Sequence, residues 1–209
     1  MYKLESLCIE KDKKYIEIFA EGKNPDDFHW FCTPVRIYFR DKQQRLLIRK
    51  AIIGSVLEDT RYELEDLLLG KQPIPQGLQE KGDIGLLASD FWQEVIQAER
   101  AGLPLPKWGW ALGPLIVFHC DNNKHKSNKT FLYNDEQGNI VLQISTVYPW
   151  FFRDPEKDKD SVDYDTWRPT YKIIYKAIIS KDVVRQWIVQ LEALANFQRS
   201  RIGIPPLLG

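Results

Sequence analysis

No stretch of the chain approaches the roughly 18 consecutive apolar residues that a membrane-spanning helix needs. The opening MYKLESLCIEKDKK has no apolar core of signal-peptide length. The expectation is a cytoplasmic protein with no membrane partner. Cysteine is scarce: Cys8, Cys32 and Cys120 are odd in number and widely spaced, which does not make a disulfide framework. Each sits in an apolar or aromatic run, where a thiol serves as a small hydrophobe. Histidine is equally scarce, with His29, His119 and His125. A G-x-S-x-G nucleophile elbow is missing. Gly70, Gly77, Gly82 and Gly85 fall at irregular intervals with no Lys-Ser/Thr after them, so the chain has no phosphate-cradling loop. Net charge is absent too, 29 Lys plus Arg against 29 Asp plus Glu. That balance marks neither a general nucleic-acid binder nor an acidic DNA mimic.

What is present builds a core. The 209 residues are 44% hydrophobic and include seven Trp, nine Tyr and ten Phe, a composition that argues against disorder. The length suits one domain spanning 1–209. The stretch Trp108–Phe152 reads as the central meander of an antiparallel sheet, with a later strand of Tyr171, Ile173, Tyr175, Ala177 and Ile179 beside it. Earlier strands fall at residues 2–9 and 14–20 and in HWFCTPVRIYFR, which Pro34 starts or bends. A helix opens at Ser55, with Glu58 completing a capping box, and ends at Gly70. Ser89 caps a second helix that Gly102 closes, and Ser180 caps a last one striped by Val184, Trp187, Ile188, Leu191, Leu194 and Ala195. A Pro/Gly-rich loop at 71–87 and a charged loop at 153–167 complete the layout. The fold class is α+β: a largely antiparallel sheet of about six to eight strands packed with two to three helices, the C-terminal helix across the sheet.

Four groups of residues invite chemistry. His119, Cys120 and His125 are metal-ligand types, but their spacing fits no structural site, and a fourth ligand would have to come from distant His29 or Cys32. The expectation is no metal and no other cofactor. His29 near Cys32 suggests a thiol–imidazole pair, yet FHWFC is a packing environment. The 153–167 loop carries six acids against three bases but lacks the central Gly and terminal Glu of a calcium loop. Trp108, Trp110, Trp150, Phe151, Phe152 and Trp167 are aromatics of the kind that anchor interfaces, or equally a second layer of core.

The hairpin around Asp41–Gln44 is the most telling. Val35, Ile37 and Phe39 alternate with Arg36, Tyr38 and Arg40, and Leu46 and Ile48 alternate with Arg45, Leu47 and Arg49. A tight turn pairs Arg40 with Arg45, Tyr38 with Leu47 and Arg36 with Arg49, all on one face. Opposed like charges weaken a ladder, so something anionic belongs across that face. The candidates are internal acids (Glu58, Asp59, Glu63, Glu65, Asp66 or the acidic loop) and the carboxylates or phosphates of a partner.

The order of elements carries a resemblance. Strands lead to a short acidic helix ending Leu67-Leu68-Leu69-Gly70, then to a meander ending in aromatics, then to IISKDVVRQWIVQLEAL. This layout resembles small bacterial families of immunity proteins from polymorphic toxin systems. It covers much of the chain without a shared residue motif, and the 71–87 insertion and the helix at 89–101 lie outside it. The resemblance implies a non-catalytic domain that binds and blocks a cognate toxin. The expected site is Arg36, Tyr38, Arg40, Arg45 and Arg49 with Trp150, Phe151 and Phe152. Two other readings stand beside it. One is a binder of an anionic small molecule or oligonucleotide on the same arginine face. The other is a hydrolase with His29 or His119 beside carboxylates in a pocket.

Overall fold

The computed structural model describes residues 1–109, 112, 116–121, 127–149 and 161–206, with backbone alone at 25, 79, 116–121 and 127. The chain divides into two compact units, residues 1–71 with 179–209, and residues 72–178. Among the described residues there are eight strands in two four-stranded sheets, and four α-helices. The fold is α+β, but the strands form two sheets, and the aromatic meander organises only one of them.

In the first unit, β1 (Tyr2–Glu10), β2 (Lys14–Ala20), β3 (Pro34–Arg40) and β4 (Arg45–Ile52) form an antiparallel meander in chain order. Period-two alternation sends Leu7, Ile16, Ile18, Val35, Ile37, Phe39 and Ile48 into the core, all nearly or completely buried. Helices α1 (Ile53–Leu68) and α4 (Lys181–Ser200) touch each other and this sheet. Ser180 caps α4 through Val183 N, as its position predicts. Val184, Trp187, Leu191 and Ala195 are its buried stripe, and Trp187 Nε1 donates to the Cys8 carbonyl at 2.8 Å.

The start of α1 differs from the Ser55 cap. The helix follows β4 without a loop, and no side chain caps it. Ile53 N and Gly54 N donate instead to the carbonyls of Thr33 and Trp30. Those first-turn amides are therefore satisfied by the His29–Thr33 turn, and Ser55 Oγ is left to bond Asp59. Of the two roles expected of Pro34, starting the strand or bending it, the structure shows the first: β3 begins at Pro34.

In the second unit, the sheet order is β5 (Ile116–Asp121), β6 (Ser127–Asn134), β7 (Ile140–Val147), β8 (Ile173–Ile179). Helix α2 (Ile84–Ala101) packs on β6 and β7, and its core includes Ile84, Leu87, Ala88, Phe131, Tyr133 and Val141. It begins inside the expected 71–87 loop, capped by Asp83 and not by Ser89. Ser89 sits within the helix and donates to Gly85 O. A four-residue helix, α3 (Tyr164–Trp167), interrupts the expected charged loop, capped by Asp163.

Candidate functional site

The arginine hairpin forms, with one change of register. Arg40 faces Arg45 and Tyr38 faces Leu47, but a bulge at Ile48 then sets Ile37 against Arg49 and Arg36 against Lys50. One extra residue flips the following side chains to the opposite face. Arg49 therefore shares the face of fully buried Ile37, and its guanidinium lies 3.8 Å from Asp59 on α1 with only 17% of the side chain exposed. The expected Arg36–Arg49 pair does not exist, and Lys50 replaces Arg49 on the open face. Arg36, Tyr38, Arg40 and Arg45 stay together there. Trp150, Phe151 and Phe152 lie outside the described residues, as do Trp110, His125 and the side chains of His119 and Cys120.

The arginines' counter-charge comes mainly from β2. Register places Glu17 opposite Tyr38, Tyr15 opposite Arg40 and Phe19 opposite Arg36, so all of these project from the face away from α1 and α4. Glu17 has a side chain only 7% exposed and receives Arg40 Nε at 2.9 Å, Lys3 Nζ at 3.1 Å and Arg45 Nε at 3.5 Å. Arg36 Nε pairs separately with Glu21 at 2.7 Å. The Arg45 guanidinium lies over the rings of Tyr38 and Phe19, at 4.1 and 4.3 Å from their centroids, and that of Arg40 over Tyr15 at 4.7 Å. Three cations thus share one carboxylate, and the cluster holds two positive charges beyond what Glu17 neutralises. From α1, Asp59 reaches Arg49, which has left the open face.

Glu17→Gln removes the shared anion while keeping its shape. Because the cations are nearly half exposed and partly screened, the expected loss is about 1 kcal/mol, read as a lowered midpoint in urea unfolding.

Of the other sequence candidates, Trp108 and Trp167 pack against neighbouring aromatics, whereas His29 and Cys32 are exposed and not packed as FHWFC suggested. Trp108 stacks edge-on to Phe91 at 5.3 Å and donates to Glu94 at 2.7 Å. Trp167 is buried with Tyr148 and Tyr164. His29 belongs to a backbone turn: its carbonyl accepts from Cys32 N and Thr33 N, and its own N–H donates to the Thr33 hydroxyl. Among the described residues, no three His, Cys, Asp or Glu side chains gather as a metal site. Among those residues too, no helix is long and apolar enough to cross a membrane.

A second constellation, in the unit of residues 72–178, escapes sequence reading. Asp83 Oδ1 accepts from Gly85 N at 3.0 Å, from Gln143 Nε2 at 2.7 Å and from the Tyr171 hydroxyl. Burial, and then the bond to Asp83, push the Tyr171 hydroxyl well above the usual tyrosine range. Asp83 Oδ2 faces Lys176 Nζ at 3.9 Å. Asp83 and Lys176 line a cleft of about 470 Å³ together with Tyr133, Ile74, Ile84 and Ile178. The only sequence signal for this site is an Asp ahead of an apolar helical run, GDIGLLAS. Its partners lie 60 and 88 residues away along the chain.

Comparison of the chain with family models, with curated proteins and with solved structures finds no match.

Proposed function

We propose that the chain is a non-catalytic protein-binding domain that docks an acidic segment of a partner on the open face of β2–β4. Its most specific form is an immunity-type inhibitor that occludes a cognate toxin, the reading that the layout of elements suggests. The observation that carries the proposal is the sharing of Glu17 by Lys3, Arg40 and Arg45. A partner's carboxylates would supply the charge that the cluster lacks, in the fork geometry that guanidinium groups favour. The aromatic residues support a carboxylate over a nucleobase. Tyr15, Phe19 and Tyr38 already have guanidinium groups over their rings, so the π-faces that single-stranded nucleic acid stacks upon are occupied.

The test is a fluorescence titration with a hexaglutamate peptide at several salt concentrations. The wild-type chain is expected to bind with an affinity that falls as salt rises. The double variant Arg40→Glu/Arg45→Glu should bind at least tenfold more weakly. Glu17→Gln should bind more tightly, since Glu17 competes with the peptide for the same cations. Binding that ignores both salt and the double charge reversal would remove the proposed face.

A further inference from the structure

The cleft beside Asp83 and Lys176 has a composition of its own. Three hydrogen bonds converge on Asp83 Oδ1, while Oδ2 has only Lys176 near it among the described residues. The Oδ2–Nζ distance of 3.9 Å is an ion pair but too long for a hydrogen bond. The carboxylate therefore keeps an acceptor and the ammonium keeps donors, side by side. The Lys176 side chain is 47% exposed, so its donors are accessible. Asp135 also lines the cleft, but its carboxylate is held by its own turn, accepting from Gln137 N, Asn139 N and Asn139 Nδ2. Ile74, Ile84, Val141 and Ile178 form the apolar wall.

We propose that this cleft binds a neutral ligand whose cis-amide edge, a ring N–H beside a C=O, bridges Asp83 Oδ2 and Lys176 Nζ, with its apolar body against the isoleucines. The ligand's N–H donates to the carboxylate and its C=O accepts from the ammonium. Neutrality follows from the pairing. An anionic ligand drawn to Lys176 meets the charges of Asp83 beside it and of Asp135 in the same cleft, and a cation drawn to Asp83 meets Lys176. A purely apolar ligand leaves both charged groups covered without hydrogen bonds, which costs more than its burial returns. Tyr133 lines the same cleft as Lys176. The volume exceeds that of a single small ring, so a natural ligand would carry further apolar substituents.

The probe is 2-piperidone, a cis-lactam, titrated into the isotopically labelled full chain and followed by amide chemical shifts. Saturable shifts at Ile84, Lys176 and Ala177 are expected, with a dissociation constant on the order of 1 mM for so small a molecule. N-methyl-2-piperidone keeps the carbonyl but loses the donor, and should bind at least tenfold more weakly. Lys176→Met, at a half-exposed position where folding is not at stake, should weaken 2-piperidone by a similar factor. The proposal is overturned by an absence of saturable shifts, by equal affinity for the N-methyl analogue, or by undiminished binding to Lys176→Met. The analogue comparison needs no mutation, so it stands whether or not a variant folds well.

Discussion

Glu63→Gln is expected to stabilise the chain by about 3 kcal/mol at pH 8 and to leave its stability at pH 4 nearly unchanged. Burial pushes the Glu63 carboxyl up from an ordinary 4.5 to about 7; Arg49 opposes the shift, and Asp59 one turn earlier adds to it. One oxygen, Oε2, is buried with no hydrogen-bond partner. Between pH 4.5 and 7 the folded chain holds a proton that the unfolded chain has released. Stability is therefore full below pH 4.5, falls as the pH rises through 7, and is level above it. Each pH unit in that window is worth about 1.4 kcal/mol, which sets the size of the effect. Glutamine has no proton to lose, so its curve should stay flat where the wild type declines. Urea unfolding at half-unit steps from pH 4 to pH 8.5 checks this, and parallel curves for the two proteins would refute it. The bulge at Ile48 turns Arg49 toward α1, where it pairs with Asp59 and moderates the shift at Glu63 without cancelling it.

Gly85→Ala should destabilise the second unit by about 3 kcal/mol, at the upper end of what one added methyl group costs in a packed interior. A Cβ built at Gly85 would stand 2.0 Å from Ser145 Oγ, 2.7 Å from the Tyr171 hydroxyl and 3.0 Å from Ser145 Cβ. Rotating the serine relieves the first contact and leaves the other two. The tyrosine hydroxyl is fixed by its bond to Asp83, so relief requires α2 to move away from β7. Gly102→Ala makes the comparison, since a Cβ there meets nothing within 4 Å. Its left-handed backbone at φ +64° makes alanine costly by about 1 kcal/mol through conformation alone. Thermal unfolding should show a clearly larger loss for Gly85→Ala. Equal losses would mean that the close approach at Gly85 is not a tight contact.

These two residues also show what sequence reading reaches and what it does not. Gly82 and Gly85 read locally as chain breakers, which moves the expected start of α2 to Ser89. Only the packing of Gly85 against Ser145 and Tyr171 explains a glycine in the first turn of a helix. The Asp83 site is hidden for the same reason, because Gln143 in β7, Tyr171 just before β8 and Lys176 in β8 are far from Asp83 along the chain. The α4 stripe, by contrast, is legible, because a cap at Ser180 and apolar residues at helical spacing depend only on near neighbours.

The alternation in the hairpin is a local property, and it determined by itself that Val35, Ile37 and Phe39 are buried and that Arg36, Tyr38, Arg40 and Arg45 share the other face. The sequence likewise determined the mixed α+β class and the N-cap of the last helix. Tertiary structure decided the division into two units, the reversal of Arg49, and the choice of Glu17 and Glu21 over the α1 acids as partners of the open-face arginines. A bulge and a choice of ion-pair partner depend on which strands become neighbours. No periodicity within a single strand records that.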